Sequence, residues 1–187
     1  IVAIDIDSLD FDVDYLADRP TNLPVSGTIN RVASGIRYLV YSTTQAFVDG
    51  ETRYATVYRY EWETGETTVA AAGPSTFAVP RDITQDYSND DIFVLDFSGE
   101  VWQISADDVT QIGTVPHDSR QDLVAIECRP GTTPNQVYVA RFDNHFNTTY
   151  IDIFTWNEDD EVWDLEDEAI AASSAKVVDM TVDEDGN

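Results

Sequence analysis

Carboxylates are the side chains with the widest chemical reach in this sequence. "DIDSLDFDVD" places Asp5, Asp7, Asp10, Asp12 and Asp14 in one short run. Their oxygens are hard ligands that suit Ca²⁺. A calcium loop needs a bend, usually at Gly, so that its ligands converge. This run has no Gly, and its Asp/apolar alternation sends the acids to one face of a strand. Glycoside hydrolysis needs two carboxylates roughly 5–10 Å apart. With 36 acids in the chain, some pair meets that distance by chance, so the criterion selects nothing. No catalytic residue is nominated. His117 beside Asp118 is a sequence neighbour rather than a dyad, and no G-x-S-x-G elbow is present. The absence of a G-x-x-x-x-G-K-S/T loop argues against an NTPase. His117 and His145 have no Cys or His partner at ligand spacing, which argues against zinc. The lone Cys128, in "LVAIEC", reads as a small buried hydrophobe.

Three further motifs point to binding. "DEDGN" sets Asp183, Asp185 and Asn187 as in the opening of an EF-hand-type loop, which it resembles, and Ca²⁺ is the one cofactor the sequence suggests. A tight Asp-Gly hairpin turn explains the same residues. Trp62, Trp102, Trp156 and Trp163 flank predicted turns, where they either pack neighbouring sheets or offer stacking platforms for sugar rings. "NTT" makes Asn147 an N-glycosylation acceptor if the protein is exported.

Charge limits the partners. The chain carries 36 acidic and 10 basic residues, a formal net charge of −26. Lys176 is the only lysine. Such a surface repels phosphate backbones, so nucleic acid is not an expected partner. No apolar run approaches the roughly 18 residues of a membrane-spanning helix. The Asp-rich, Lys-poor balance resembles the proteins of haloarchaea and their viruses. That resemblance implies an extracellular setting, on a virion or a halophilic cell surface.

The elements that must position these residues are strands. β-branched and aromatic residues recur with period two between Gly, Asn, Asp and Ser clusters. "IRYLVYS" at 36, "IFVLDFS" at 92 and "VYVARFD" at 137 share a pattern, each with an aromatic at its sixth position. Each copy has a candidate strand before it, "TINRVAS", "RDITQDYS" and "DLVAIECRP", and two after it. In the first copy the added length is expected to form a loop, "TTQAFVDGE". The best helix candidate covers 164–178, although its beginning alternates like a strand.

These units of four antiparallel strands resemble the blades of β-propellers, which run to about 40–50 residues. The expected fold is all-β, antiparallel and propeller-like. Residues 1–27 form an N-terminal strand or linker segment. The repeats cover 28–187, as 28–76, 77–117 and 118–172, with 173–187 the first strand of a further unit. Three units and a strand fall short of a ring, which makes an incomplete propeller the expectation. Further blades would come from the same parent chain or from another subunit.

Two functions compete. The first is a non-catalytic binding or assembly module exposed to high salt, in a virion tail, spike or fibre or on a cell surface, contacting glycan or protein. The second is a secreted halophilic propeller hydrolase or lyase acting on polysaccharide. The charge makes its own prediction. Self-repulsion at −26 should fall as salt shortens the screening length to about 3 Å at 1 M. The melting temperature should therefore rise strongly between about 0.1 and 2 M KCl. A flat or falling trace in differential scanning fluorimetry refutes this reading of the composition.

Overall fold

The computed structural model describes residues 29–35, 37–49, 52–72, 79–86, 88–106, 108–129, 135–166, 170–177 and 179–181. The described residues contain thirteen strands and no helix. The first sheet holds β1 (Ile29–Ser34), β2 (Tyr38–Asp49), β3 (Thr52–Glu61) and β4 (Thr67–Ala72). The second holds β5 (Pro80–Asp86), β6 (Asp91–Asp96), β7 (Glu100–Ile104) and β8 (Val109–Thr114). The third holds β9 (Gln121–Arg129), β10 (Gln136–Asp143), β11 (Thr148–Asn157) and β12 (Val162–Leu165), with β13 (Ile170–Ser173) also on β11. Every pairing is between sequence neighbours and antiparallel, apart from the β13 addition, which is antiparallel too. The fold is all-β and propeller-like, built of open sheets.

The inner strands β6 and β10 are buried on both faces, which a lone sheet cannot provide, so the sheets stack. Val40, Val57 and Ala71 of the first sheet meet Ile83, Ile92, Val94 and Ile104 of the second. The other face of the second sheet, with Phe93, Leu95, Val101 and Ile112, meets Leu123, Ile126, Val137, Val139 and Phe154 of the third. Leu95, Val101, Val137 and Val139 are fully buried. Fully burying side chains of this size contributes about 1.5–3 kcal/mol each.

Bulges recur at matching places. On the first strands, the register skips Asn30 in β1, Arg81 in β5 and Val124 in β9. Strand ends repeat a device as well. Asp86 Oδ1 accepts the Ser88 N–H and hydroxyl at 2.8 and 2.6 Å, and Asp96 Oδ1 does the same for Ser98. These side-chain turns stop the strand and fix the reversal. Gly99 completes the second of them at φ 85°, a conformation that favours glycine.

Two expectations change. The run expected as a loop at 43–51 extends β2 to Asp49 and opens β3 at Thr52, because its β-branched and aromatic residues prolong the ladder across a register shift between Thr43 and Phe47. The helix candidate at 164–178 is instead the end of β12 and all of β13. Phe154 pairs Leu165, and Ile151 pairs Ile170, so the two short strands form one interrupted edge along β11. Cross-strand pairing there outweighs the local helix propensity of Ala and Glu. Of the segment expected to open a further unit, 173–187, the described residues are 173–177 and 179–181, with Ser173 the last residue of β13. Residues 1–28 and 182–187 lie outside the described residues.

The second and third sheets meet with no slack at Gly113 on β8. A Cβ there would lie 2.4 Å from Phe154 Cε1. Gly113→Ala should therefore destabilise the fold by about 1–3 kcal/mol, the usual cost of overpacking. Combined with Phe154→Leu, the loss in urea melts should be less than the sum of the two single losses, since the smaller side chain vacates the clash. Strict additivity would place the strain elsewhere.

Candidate functional site

The first strands of the three sheets lie side by side, with β5 between β1 and β9. The bulges let them approach. Asn30 Nδ2 donates to the Pro80 carbonyl, and Arg81 Nε donates to the Leu123 carbonyl at 2.8 Å. Each bulged side chain thus reaches the carbonyl just before the next strand's bulged residue. Val124, the third bulged residue, is apolar and packs with Ala125, Ala140 and Phe142.

Beside these strands lies a cleft of about 610 Å³. Its wall includes Arg31, Arg81, Asp82, Thr84, Gln85, Glu127 and Cys128, together with Asp179 and Met180. Two carboxylates there bridge strands. Asp82 Oδ2 accepts the Ile126 N–H at 3.0 Å, and its Oδ1 lies 3.6 Å from Arg31 Nε. Glu127 Oε1 accepts both the Thr84 hydroxyl at 2.5 Å and the Cys128 N–H at 3.0 Å. Burial pushes both carboxyls above their ordinary values. The donated hydrogen bonds oppose that rise, and the charge of Asp179 adds to it in each. Burial also pushes the Cys128 thiol up to about 12, with the Glu127 charge next in effect. That thiol is buried and not a nucleophile at neutral pH, in keeping with a small hydrophobe.

Apart from Cys128, none of the described residues singled out in the sequence lines this cleft. Asp183, Asp185 and Asn187 fall outside the described residues, as do Asp5, Asp7, Asp10, Asp12 and Asp14. Among the described residues, no group of three or more His, Cys, Asp or Glu side chains converges as metal ligands would. Trp156 and Trp163 meet as a cross-strand pair, ring centroids 5.7 Å apart. Trp163 also lies edge-on to Phe93 and donates from Nε1 to Gln103 Oε1 at 3.0 Å, which ties the third sheet to the second. Trp62 lies edge-on to Tyr60 and donates to the Gly35 carbonyl at 3.3 Å. Trp102 packs on the core between the first two sheets. None of the four lines the central cleft. Asn147 is exposed in a turn at φ 53°, and its Nδ2 donates to the Ser174 carbonyl at 2.8 Å. His117 lies over Gly99 with Nδ1 3.1 Å from the Val115 carbonyl, and His145 stacks edge-on with Phe146.

Arg31, Arg81, Asp82 and Glu127 were not singled out by sequence. Their signal was present: each interrupts the alternation of a first strand with a charge. Only the stacking of three such strands turns those charges toward one another.

No protein-family model matches the chain, and no curated protein matches it. Among solved structures, it is similar to a quinonprotein alcohol dehydrogenase-like protein from Bacteroides thetaiotaomicron, at 11% identity and a TM-score of 0.46. The match covers 72% of this chain and 33% of that one, so the chain spans about a third of its length. The fold assignment rests on strand order and sheet packing, not on this likeness.

The charge at Glu127 can be removed while its bonds stay. Both donors meet Oε1, which the amide oxygen of glutamine can replace. A carboxyl whose folded pKa is raised favours folding fully below its unfolded pKa, and loses that contribution as pH rises through the folded pKa. Glu127→Gln should thus melt above the parent at pH 7, with the gap closing as pH falls toward 4. The exposed Glu63→Gln serves as control for overall charge. A gap that persists at pH 4, or one matched by Glu63→Gln, contradicts this account.

Proposed function

We propose that this protein is a non-catalytic binding module that takes a glycan in the central cleft. Its setting in this reading is high salt, on a virion tail, spike or fibre or on a halophilic cell surface. The observation that carries the reading is how the central carboxylates are engaged. Asp82 uses its oxygens on the Ile126 N–H and on Arg31, and Glu127 Oε1 holds Thr84 and Cys128. These groups tie one sheet to the next. A general acid or base must instead be available to the reacting atoms. The polar wall of Arg31, Thr84, Gln85 and Asp179 offers donors and acceptors of the kind that meet sugar hydroxyls. Protein contact through the loops at the sheet ends is the second form of the same binding role. The acidic, lysine-poor composition supports the high-salt setting.

The hydrolase or lyase reading draws on one observation, the raised carboxyls of Asp82 and Glu127 beside a cleft. One experiment separates the two. The protein is incubated with a panel of neutral and acidic polysaccharides in 2 M KCl, with calorimetry for binding and a reducing-end and 235 nm assay for cleavage. The expected result is binding without cleavage. Cleavage that is lost in both Asp82→Asn and Glu127→Gln establishes the enzyme instead.

A further inference from the structure

The turn between β6 and β7 meets the link from β8 to β9, where the Val115 N–H donates to the Gly99 carbonyl at 2.8 Å, and that link meets the turn between β10 and β11, where the Asn144 N–H donates to the Arg120 carbonyl at 2.9 Å. Among the described residues, the two most exposed large apolar side chains lie in these turns, Phe97 at 57% and Phe146 at 66%. The backbone that carries Phe97 is pinned by hydrogen bonds. The preceding Asp96 Oδ1 accepts the Ser98 and Glu100 N–H groups, and the Phe97 N–H donates to the Val79 carbonyl at 3.1 Å. Fixing an apolar ring in water has no folding benefit of its own. A preorganised aromatic does favour binding, because less freedom is lost when a ligand arrives.

A hollow of about 270 Å³ adjoins this ring. Arg81, Phe97, His117, Asp122 and Lys176 line it. Arg81 lies 5.4 Å from the centre of the Phe97 ring. Asp122 is the one acid in the wall, and Lys176 Nζ already meets it at 2.6 Å. Two cations against one acid reverse, locally, the 36-to-10 acidic balance of the chain. Arg81 also belongs to the wall of the central cleft, so the two spaces share a residue.

We infer that the hollow between Arg81, Phe97 and Lys176 is a subsite for a sugar residue bearing a carboxylate, such as a hexuronate. This rests on the glycan reading above and narrows it to acidic glycans. The apolar face of the sugar lies on Phe97, which exposes more than half of its surface. The carboxylate lies against Arg81 and Lys176, with the Arg81 fork suited to two-point contact. Neighbouring sugars continue past Arg81 into the cleft. High salt screens the distant acids of the protein far more than a contact pair inside a hollow, so the anionic ligand is not excluded.

The test titrates tetragalacturonate, and the same oligomer fully methyl-esterified, into the protein in 2 M KCl. The acid should bind at least tenfold more tightly than the ester. Phe97→Ala should weaken both ligands about tenfold, and Lys176→Gln should weaken only the acid. Both substitutions are at exposed positions, and circular dichroism checks that each variant keeps its strands. An ester that binds as well as the acid, or acid binding untouched by Lys176→Gln, overturns the subsite while leaving glycan binding in place. Loss of binding to both oligomers and to every neutral glycan overturns both readings. A polyglutamate peptide that binds with the same Lys176→Gln sensitivity assigns the hollow to protein and overturns the sugar subsite.

Discussion

The close approach of β1, β5 and β9 is the constraint on which the rest of the structure depends. Three strands near one line leave little room for backbone groups that lack partners, and a buried unpaired carbonyl costs about 1–3 kcal/mol. The bulges at Asn30 and Arg81 answer this. Each turns a side-chain donor out of its own ladder and onto a carbonyl of the next strand. Asp82 completes the exchange by accepting the Ile126 N–H. Once these strands are fixed, the second strands must face one another, and the apolar clusters between the sheets close behind them. The cleft is a consequence of the same geometry. It lies where the strands are tied at intervals by polar side chains, not packed along their whole length.

Arginine has a particular part in this. Arg59 on β3 reaches the carbonyls of Asp90, Ile104 and Ser105 in the second sheet from one nitrogen, at 3.2–3.4 Å. The guanidinium is planar and less tightly hydrated than an ammonium, so it can leave water for carbonyl partners at lower cost than lysine.

The antiparallel four-strand pattern of the first two sheets, and β9 to β12 of the third, were legible in the sequence, because period-two alternation and turn residues are local signals. "IFVLDFS" and "VYVARFD" became β6 and β10, each central in its sheet and each ending on an Asp that holds the following turn. The outer edge of the third sheet was not legible. Residues 166–169 separate two short strands that continue one pairing with β11, and a local reading sees only good helix formers there. The cleft was hidden for another reason. Asp82 and Glu127 are ordinary members of a long acidic list until three strands, far apart in sequence, share a wall. The tryptophans were conspicuous by type, but Trp163 is engaged by Phe93 and Gln103 of the neighbouring sheet.

The distribution of charge follows from what holds the sheets together. Repulsion among exposed acids acts through solvent and is weakened by salt within a few ångströms. The ties between sheets are of another kind. Arg59 and Arg81 donate to carbonyls, and their bonds need no carboxylate partner. Within the third sheet, the Arg141–Asp152 pair of β10 and β11, 2.6 Å apart with side chains 13% and 6% exposed, is likewise shielded from solvent. Screening by salt acts more on exposed charges than on contacts shielded between sheets. A fold whose cohesion comes from apolar faces and shielded arginines can carry a surface of one sign. A fold held by exposed ion pairs would lose in brine the interactions that it needed to bear the same charge.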